Sequence, residues 1–231
     1  MKPICTAVIV AAGKGKRMGT DISKQFLPLC GKEILTHTVE VFEKADRIRD
    51  IVLVTGTDSL QDVQDMVWEY GWQKVISVVA GGKERQDSVW NGLQAISEDT
   101  EIVLIHDGVR PFVTEEILDL SIETAVEMGG CAAGVPAKDT IKVCNSENIA
   151  VDTLDRSTLW QIQTPQTFRK ELIVKAYEQA KAEGFLGTDD ASLAENSGYS
   201  VKVIMGSYRN IKITTTEDLL IGEAFLKEGQ V

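Results

Sequence analysis

Histidine is nearly missing from this chain. His37 and His106 are its only two in 231 residues, which excludes a histidine-rich metal centre. The four cysteines, Cys5, Cys30, Cys131 and Cys144, are dispersed and form no CxxC pair. A zinc site is therefore disfavoured and buried, reduced thiols are expected. A metal, if used, is then a hard cation on carboxylates and phosphates. Long apolar runs are also lacking: none approaches the roughly 18–20 residues of a membrane span. The first residues run straight into a strand-like stretch without a signal-peptide layout. A cytoplasmic protein with no membrane partner is the expectation. Positive charge is scarce, with 24 Lys and Arg against 35 Asp and Glu and a net charge of −11. Nucleic acid, whose affinity rests on phosphate contacts, is not an expected partner.

What is present is ordinary globular material, 43% hydrophobic and 26% charged, enough for one domain over residues 1–231. Strand-like runs at Ile4–Val10, Asp50–Thr55, Val75–Ala80, Glu101–His106, Cys131–Pro136 and Ser200–Met205 alternate with helix-period segments. Glu33–Ala45, Ser88–Ile96 and Glu115–Met128 are such segments. Strand–helix alternation predicts an α/β fold with a mainly parallel sheet and helices on both faces. The near-continuous Val, Ile and Leu runs suit strands buried on both sides. Residues 137–154 break the rhythm. They read as two short strands, Thr140–Val143 and Ile149–Thr153, around Asn145–Asn148. An isolated hairpin is marginal in water, so a β-arm that pairs with a second subunit is expected here; a hairpin folded on its own sheet is the alternative.

Against the acidic background, the stretch AAGKGKRMG (Ala11–Gly19) stands out. It follows the first strand, and in open α/β sheets ligands bind beyond the carboxyl ends of strands. Glycines there let backbone N–H groups approach an anion. The spacing is neither the dinucleotide fingerprint nor a Walker A loop, and a plain tight turn would also account for it. Lys14, Lys16, Arg17 and Lys24 turn the reading toward a polyphosphate cradle. GGKERQDS (Gly81–Ser88) repeats the glycine theme after the third strand, with Ser88 available to a base; the alternative is a helix capped by Asp87 or Ser88. IHDGVRP (Ile105–Pro111) ends the fourth strand, where Asp107 is placed to hold Mg²⁺ and Arg110 to orient it; a plain Asp–Arg pair is the alternative. Asp155–Arg156 reads as a surface pair, Asp189 and Asp190 as first-turn carboxylates, and Trp160 and Phe168 as core. Lys212, set in an apolar strand-like NIKIT, needs an anionic neighbour or ligand.

AAGKGKRM, SKQF, GGKERQDSV, HDGVRP, DTIK, DRSTLWQIQTPQTF, TDDAS and NIKITTTEDL occur in order over nearly the whole chain. Together they resemble the 2-C-methyl-D-erythritol 4-phosphate cytidylyltransferases of the non-mevalonate isoprenoid pathway. The resemblance implies a Rossmann-like, GT-A-like nucleotidyltransferase core and a homodimer completed by the arm. It also implies the reaction: CTP and methylerythritol 4-phosphate give the cytidine-diphospho alcohol and pyrophosphate, with Mg²⁺. By resemblance the nucleotide contacts are Ala11, Ala12, Gly13, Gly15, Gly82, Lys83, Ser88 and Asp107, with Asp107 as the metal ligand. The implied catalytic cations are Arg17, Lys24, Lys212 and Arg156. The sugar-alcohol phosphate falls to Thr140, Arg156, Thr164, Thr188 and Lys212, with Thr140 and Arg156 reaching across the dimer. The chain departs from the family at Gly108–Val109, more often two alanines, and at Lys83, frequently acidic. Ribitol 5-phosphate cytidylyltransferases share the fold and reaction type, but TDDAS and DRSTLWQIQTPQTF look more like the methylerythritol enzymes. A non-catalytic nucleotide-binding regulator would be expected to lack Arg17, Lys24 or Asp107, and all three are present.

Overall fold

The computed structural model describes residues 2–13 and 23–229. Its centre is a seven-stranded sheet. β1 (Cys5–Ala11) lies between β6 (Ile102–Asp107) and β4 (Ile48–Thr55), with β5 (Val75–Ala80) at one edge. On the other side of β6 come β10 (Trp160–Arg169), β7 (Gly130–Pro136) and, at the far edge, β11 (Lys202–Met205). β10 runs antiparallel to both neighbours; the remaining pairings are parallel. After β1 the chain builds outward through β4 and β5, then crosses back to lay β6 on the other side of β1. The boundary between β1 and β6 is thus a topological switch point, where a crevice opens at the carboxyl ends of the strands.

Side-chain alternation explains the unbroken apolar strands. In β1, Cys5, Ala7, Ile9 and Ala11 enter one core cluster and Val8 enters the other. The first face is covered by α1 (Ile34–Lys44), α2 (Leu60–Glu69) and α4 (Glu115–Met128). The second is covered by α3 (Arg85–Leu93), α5 (Lys170–Glu183) and α6 (Asp190–Asn196). A third, smaller cluster, beside the short hairpin of β2 (Pro28–Leu29) and β3 (Lys32–Glu33), joins Leu27, Leu29, Ile34, Val109, Phe112 and Ile213 to the side of α7 (Thr216–Lys227). It contains Val109, which lines the crevice, and Ile213, the neighbour of Lys212.

Three sequence expectations need correction. The polar segment from Trp160 is the long strand β10, with Gln163, Thr164, Gln166 and Thr167 all buried. Its pairing with β7 breaks register between Ile162 and Gln166, around Pro165, which is how a proline is tolerated inside a sheet. Phe168 is core, but Trp160 is exposed. Of the thiols, Cys5 and Cys131 are buried and free, whereas Cys30 and Cys144 are free and exposed. No helix among the described residues is long and apolar enough to cross a membrane.

The hairpin is β8 (Lys142–Cys144) with β9 (Ala150–Thr153), a two-stranded sheet of its own. The Asn145 side chain closes its turn by accepting from the N–H groups of Glu147 and Ile149, each at 3.0 Å. Every residue from Lys138 to Thr158 is exposed, including Ile141, Val143, Ile149, Val151 and Leu154.

Candidate active site

A cavity of about 450 Å³ occupies the switch point. Its walls are Ala11 at the end of β1 with Ala12 and Gly13 beyond it, Lys24 and Gln25 of a short 3-10 turn, Gly82–Arg85 and Ser88 at the start of α3, and Asp107, Val109 and Lys212. Lys14, Gly15 and Arg17 lie outside the described residues.

The floor is built from the end of β6. Asp107 is 6% exposed. Its Oδ2 meets Lys212 Nζ at 2.8 Å and Arg110 Nε at 3.5 Å, and its Oδ1 accepts from Arg85 Nε at 3.3 Å. Burial alone would raise this carboxyl's pKa; the charges of Arg85, Lys212 and Arg110 outweigh it and hold the group well below the usual carboxylate range. Behind it runs a chain of hydrogen bonds. The Asp107 N–H donates to Thr164 Oγ1 at 3.1 Å, and Thr164 Oγ1 meets His106 Nδ1 at 3.0 Å. His106 Nε2 meets the Arg110 carbonyl at 3.1 Å. A carbonyl only accepts, so Nε2 carries the proton, Nδ1 accepts, and Thr164 donates to it. His106 is fully buried, and desolvation lowers its pKa to about 4. The neutral ring is what this chain of bonds requires.

Lys212 is delivered by a loop. It lies in an extended segment outside any strand, which corrects the strand expected around NIKIT. The next residue, Ile213, is buried in the third cluster, and its N–H donates to the Val109 carbonyl at 2.9 Å. Upstream, the fully buried Asn210 donates Nδ2 to the Thr164 carbonyl at 2.9 Å, and its own carbonyl accepts from Arg110 Nη1 at 2.8 Å. Lys212 is held on both sides, and the anion it needed is Asp107.

The second wall turns at Gly82. A Cβ there would stand 2.2 Å from Asp87 Cβ, so only glycine lets this backbone face the cavity. α3 starts at Arg85, and its cap is Glu84 in a reciprocal box with Asp87, in place of the expected Asp87 or Ser88 cap. Ser88 is inside the helix and 2% exposed; its Oγ donates to the Glu84 carbonyl and accepts the Gly82 N–H, each at 3.0 Å. It shapes the glycine turn as well as lining the cavity.

A family model described as 2-C-methyl-D-erythritol 4-phosphate cytidylyltransferase matches residues 5–228. The chain belongs to this family. A relative of that name from Geotalea uraniireducens is 55% identical over 225 residues, covering 96% of each chain. Another from Alkaliphilus oremlandii is 50% identical over 223 residues, covering 96% of this chain and 94% of the relative. Among solved structures, the 4-diphosphocytidyl-2C-methyl-D-erythritol synthase of Anaerococcus prevotii superposes with a TM-score of 0.86 at 34% identity, over 98% of this chain and 97% of that one. The Francisella tularensis 2-C-methyl-D-erythritol 4-phosphate cytidylyltransferase gives 0.80 at 31% identity, over 99% and 100%.

Within this cytidylyltransferase fold, the residues expected at the acceptor, Lys212 excepted, lie apart from those expected at the nucleotide. Ala11, Ala12, Gly13, Lys24, Gly82, Lys83, Ser88, Asp107 and Lys212 line one cavity. Thr140, Arg156, Thr164 and Thr188 are not in its wall. Thr164 is buried behind Asp107. Thr140 and Arg156 are exposed at the root of the arm, where Arg156 Nη1 donates to the Lys138 carbonyl at 2.6 Å. The expected Asp155–Arg156 pair is not made: Asp155 accepts from Ser157 instead. Thr188 is exposed in the loop before α6.

Sequence reading missed Arg85, His106 and Asp190. Asp190, read as a first-turn carboxylate, is fully buried; it accepts from Arg85 Nη1 and Nη2 at 3.1 and 2.8 Å and from Tyr177 Oη at 2.5 Å. Burial would lower the pKa of Arg85, but Asp190 and Asp107 outweigh it and raise it. The available signal was an arginine in a glycine-rich turn together with two adjacent aspartates in TDDAS. Asp189 caps α6 through Ser192, leaving Asp190 to turn inward.

Among the described residues, no three His, Cys, Asp or Glu side chains converge on a metal site. A lone buried carboxylate beside a phosphate-sized space nevertheless suits Mg²⁺, which takes one or two carboxylates and completes its shell with substrate phosphates and water. Asp107 is the residue that would hold it.

Proposed function

We propose that the chain transfers a cytidylyl group from CTP to 2-C-methyl-D-erythritol 4-phosphate and releases pyrophosphate. The observation that carries this is the switch-point cavity, lined by Lys24, Lys83, Arg85 and Lys212, the last two paired with the buried Asp107. An acceptor phosphate oxygen attacks the α-phosphorus in line and pyrophosphate leaves, so no protein nucleophile is needed. Two anions must meet, and catalysis is positioning and charge neutralisation. The Ala11–Gly13 backbone and the Gly82 turn hold the nucleotide; Lys24 and Lys212, with Arg17, neutralise the phosphates. Asp107 would hold Mg²⁺, which would supply further neutralisation of the triphosphate.

The acceptor half is the Thr188 loop with Thr140 and Arg156, the last two delivered by the arm of a second copy of this chain. The exposed aliphatic side chains of the arm support this reading, since such a strip is normally covered. The unit is one nucleotidyltransferase domain, residues 1–231, with residues 137–154 as the arm, working as a cytoplasmic homodimer. The test is pyrophosphate release from CTP with each of two acceptors. Release with methylerythritol 4-phosphate and not with ribitol 5-phosphate is expected; the reverse preference would overturn the assignment.

A further inference from the structure

The mechanism leaves Gln86 without a role. It follows Arg85 on α3, half-buried, and its carboxamide bridges to the loop between α5 and α6. Nε2 donates to the Phe185 carbonyl at 3.1 Å, and Oε1 accepts the Gly187 N–H at 3.0 Å. An amide alone offers a donor and an acceptor side by side, and a carbonyl opposite an N–H fixes which atom is nitrogen. One residue earlier, Arg85 grips Asp190 with both terminal nitrogens. Two consecutive residues of α3 therefore hold both ends of the stretch that carries Thr188. Its far side is pressed on α6: a Cβ at Gly187 would meet Ser192 Oγ at 2.4 Å and Leu193 Cδ2 at 2.7 Å. The same first turn of α3 carries Ser88, which ties down the Gly82 turn of the nucleotide wall.

We infer that Gln86 is a positioning residue for the acceptor: by clamping the Phe185–Gly187 backbone to α3, it keeps Thr188 in register with the nucleotide turn. Arg85 with Asp190 is the second tie. The inference rests on the placement of Thr188 in the acceptor half.

Two variants test it. Gln86→Ala removes both bonds and keeps a helix-forming residue; Gln86→Glu keeps the shape and sets an anion against the Phe185 carbonyl. With unchanged melting curves, the acceptor KM should rise about tenfold in Gln86→Ala, and more in Gln86→Glu, as expected for loss of one or two bonds. The CTP KM and kcat should stay within about twofold. Amide exchange at Gly187 should accelerate while that at Val89 does not. In a Thr188→Ala background, Gln86→Ala should add less than about twofold to the acceptor KM, because both changes act through one contact. An unchanged acceptor KM, an equal rise in the CTP KM, or full additivity with Thr188→Ala would overturn the inference. If wild-type protein releases no pyrophosphate with the acceptor, the proposed function fails instead, and exchange at Gly187 still decides whether Gln86 clamps the loop.

Discussion

The floor around Asp107 and the arm of β8 and β9 are built on opposite principles. At the floor the reactive carboxylate is over-determined. Asp107 has three cationic partners, its backbone is fixed by Thr164, and Thr164 is fixed by His106. The arm has one short ladder, an asparagine-closed turn, and aliphatic side chains exposed to solvent. The floor is complete within one chain. The arm has too little buried surface of its own, as expected of an element whose packing partner is another molecule. The contrast matches the chemistry proposed: the nucleotide end needs fixed charge before substrate arrives, and the acceptor end is finished by assembly.

Removing the arm should break the contrast most sharply. Deleting residues 137–154 should abolish acceptor-dependent turnover and leave monomers by light scattering, while CTP affinity by calorimetry stays within about threefold, since the cavity wall lacks arm residues. A deletion that loses CTP binding as well would show that the two regions are not separable. Within the floor, Lys24→Ala should lower kcat by about 10²–10³ with little change in the CTP KM, the loss typical of a donor aimed at developing charge. Normal turnover with a raised KM would instead make Lys24 a ground-state contact.

Acid should act on the floor and spare the arm. His106 titrates near 4 folded and near 6.5 when its burial is lost. Between those values the unfolded chain binds the extra proton, so stability falls as pH drops from 6.5 to 4, by about 3 kcal/mol at most. Asp107, depressed in the fold, adds a loss in the same direction only below about pH 4. Denaturant unfolding in metal-free buffer at pH 7 and pH 4.5 should show the decline, and His106→Phe should flatten it. An equally steep wild type and variant would assign the loss to other groups. The smallest effect belongs to the arm: Val151, 61% exposed, should tolerate serine within about 0.5 kcal/mol of monomer stability. The same change should weaken self-association in sedimentation runs; unchanged association would take Val151 out of the interface.

Much of this was legible in the chain itself. Apolar runs bounded by glycine-rich turns gave six of the strands, because strands buried on both faces leave a dense apolar signal. The cavity's first wall was legible for the same reason: strand ends carrying glycine and lysine are conspicuous in an acidic protein. β10 escaped because its buried residues are polar and satisfied by partners distant in sequence, Gln166 by Asp189 and Ala191, Thr167 by Ser121. No local pattern encodes such pairings. Asp190 and His106 escaped likewise: burial gives them their roles, and burial is a property of the assembled sheet. Lys212 was half legible. Its isolation among apolar residues called for an anion, but only the crossing of β6 past β1 supplies Asp107.

β10 also has a mechanical reading. It begins at Trp160, on the exposed root of the arm, and four residues later presents Thr164 to Asp107. At about 3.3 Å per residue that is a span of roughly 13 Å. Arm and floor are therefore two ends of one short rod. Only the short 3-10 turn Arg156–Thr158 separates the arm from the start of that strand, so whatever grips the arm acts close to the strand that steadies the carboxylate.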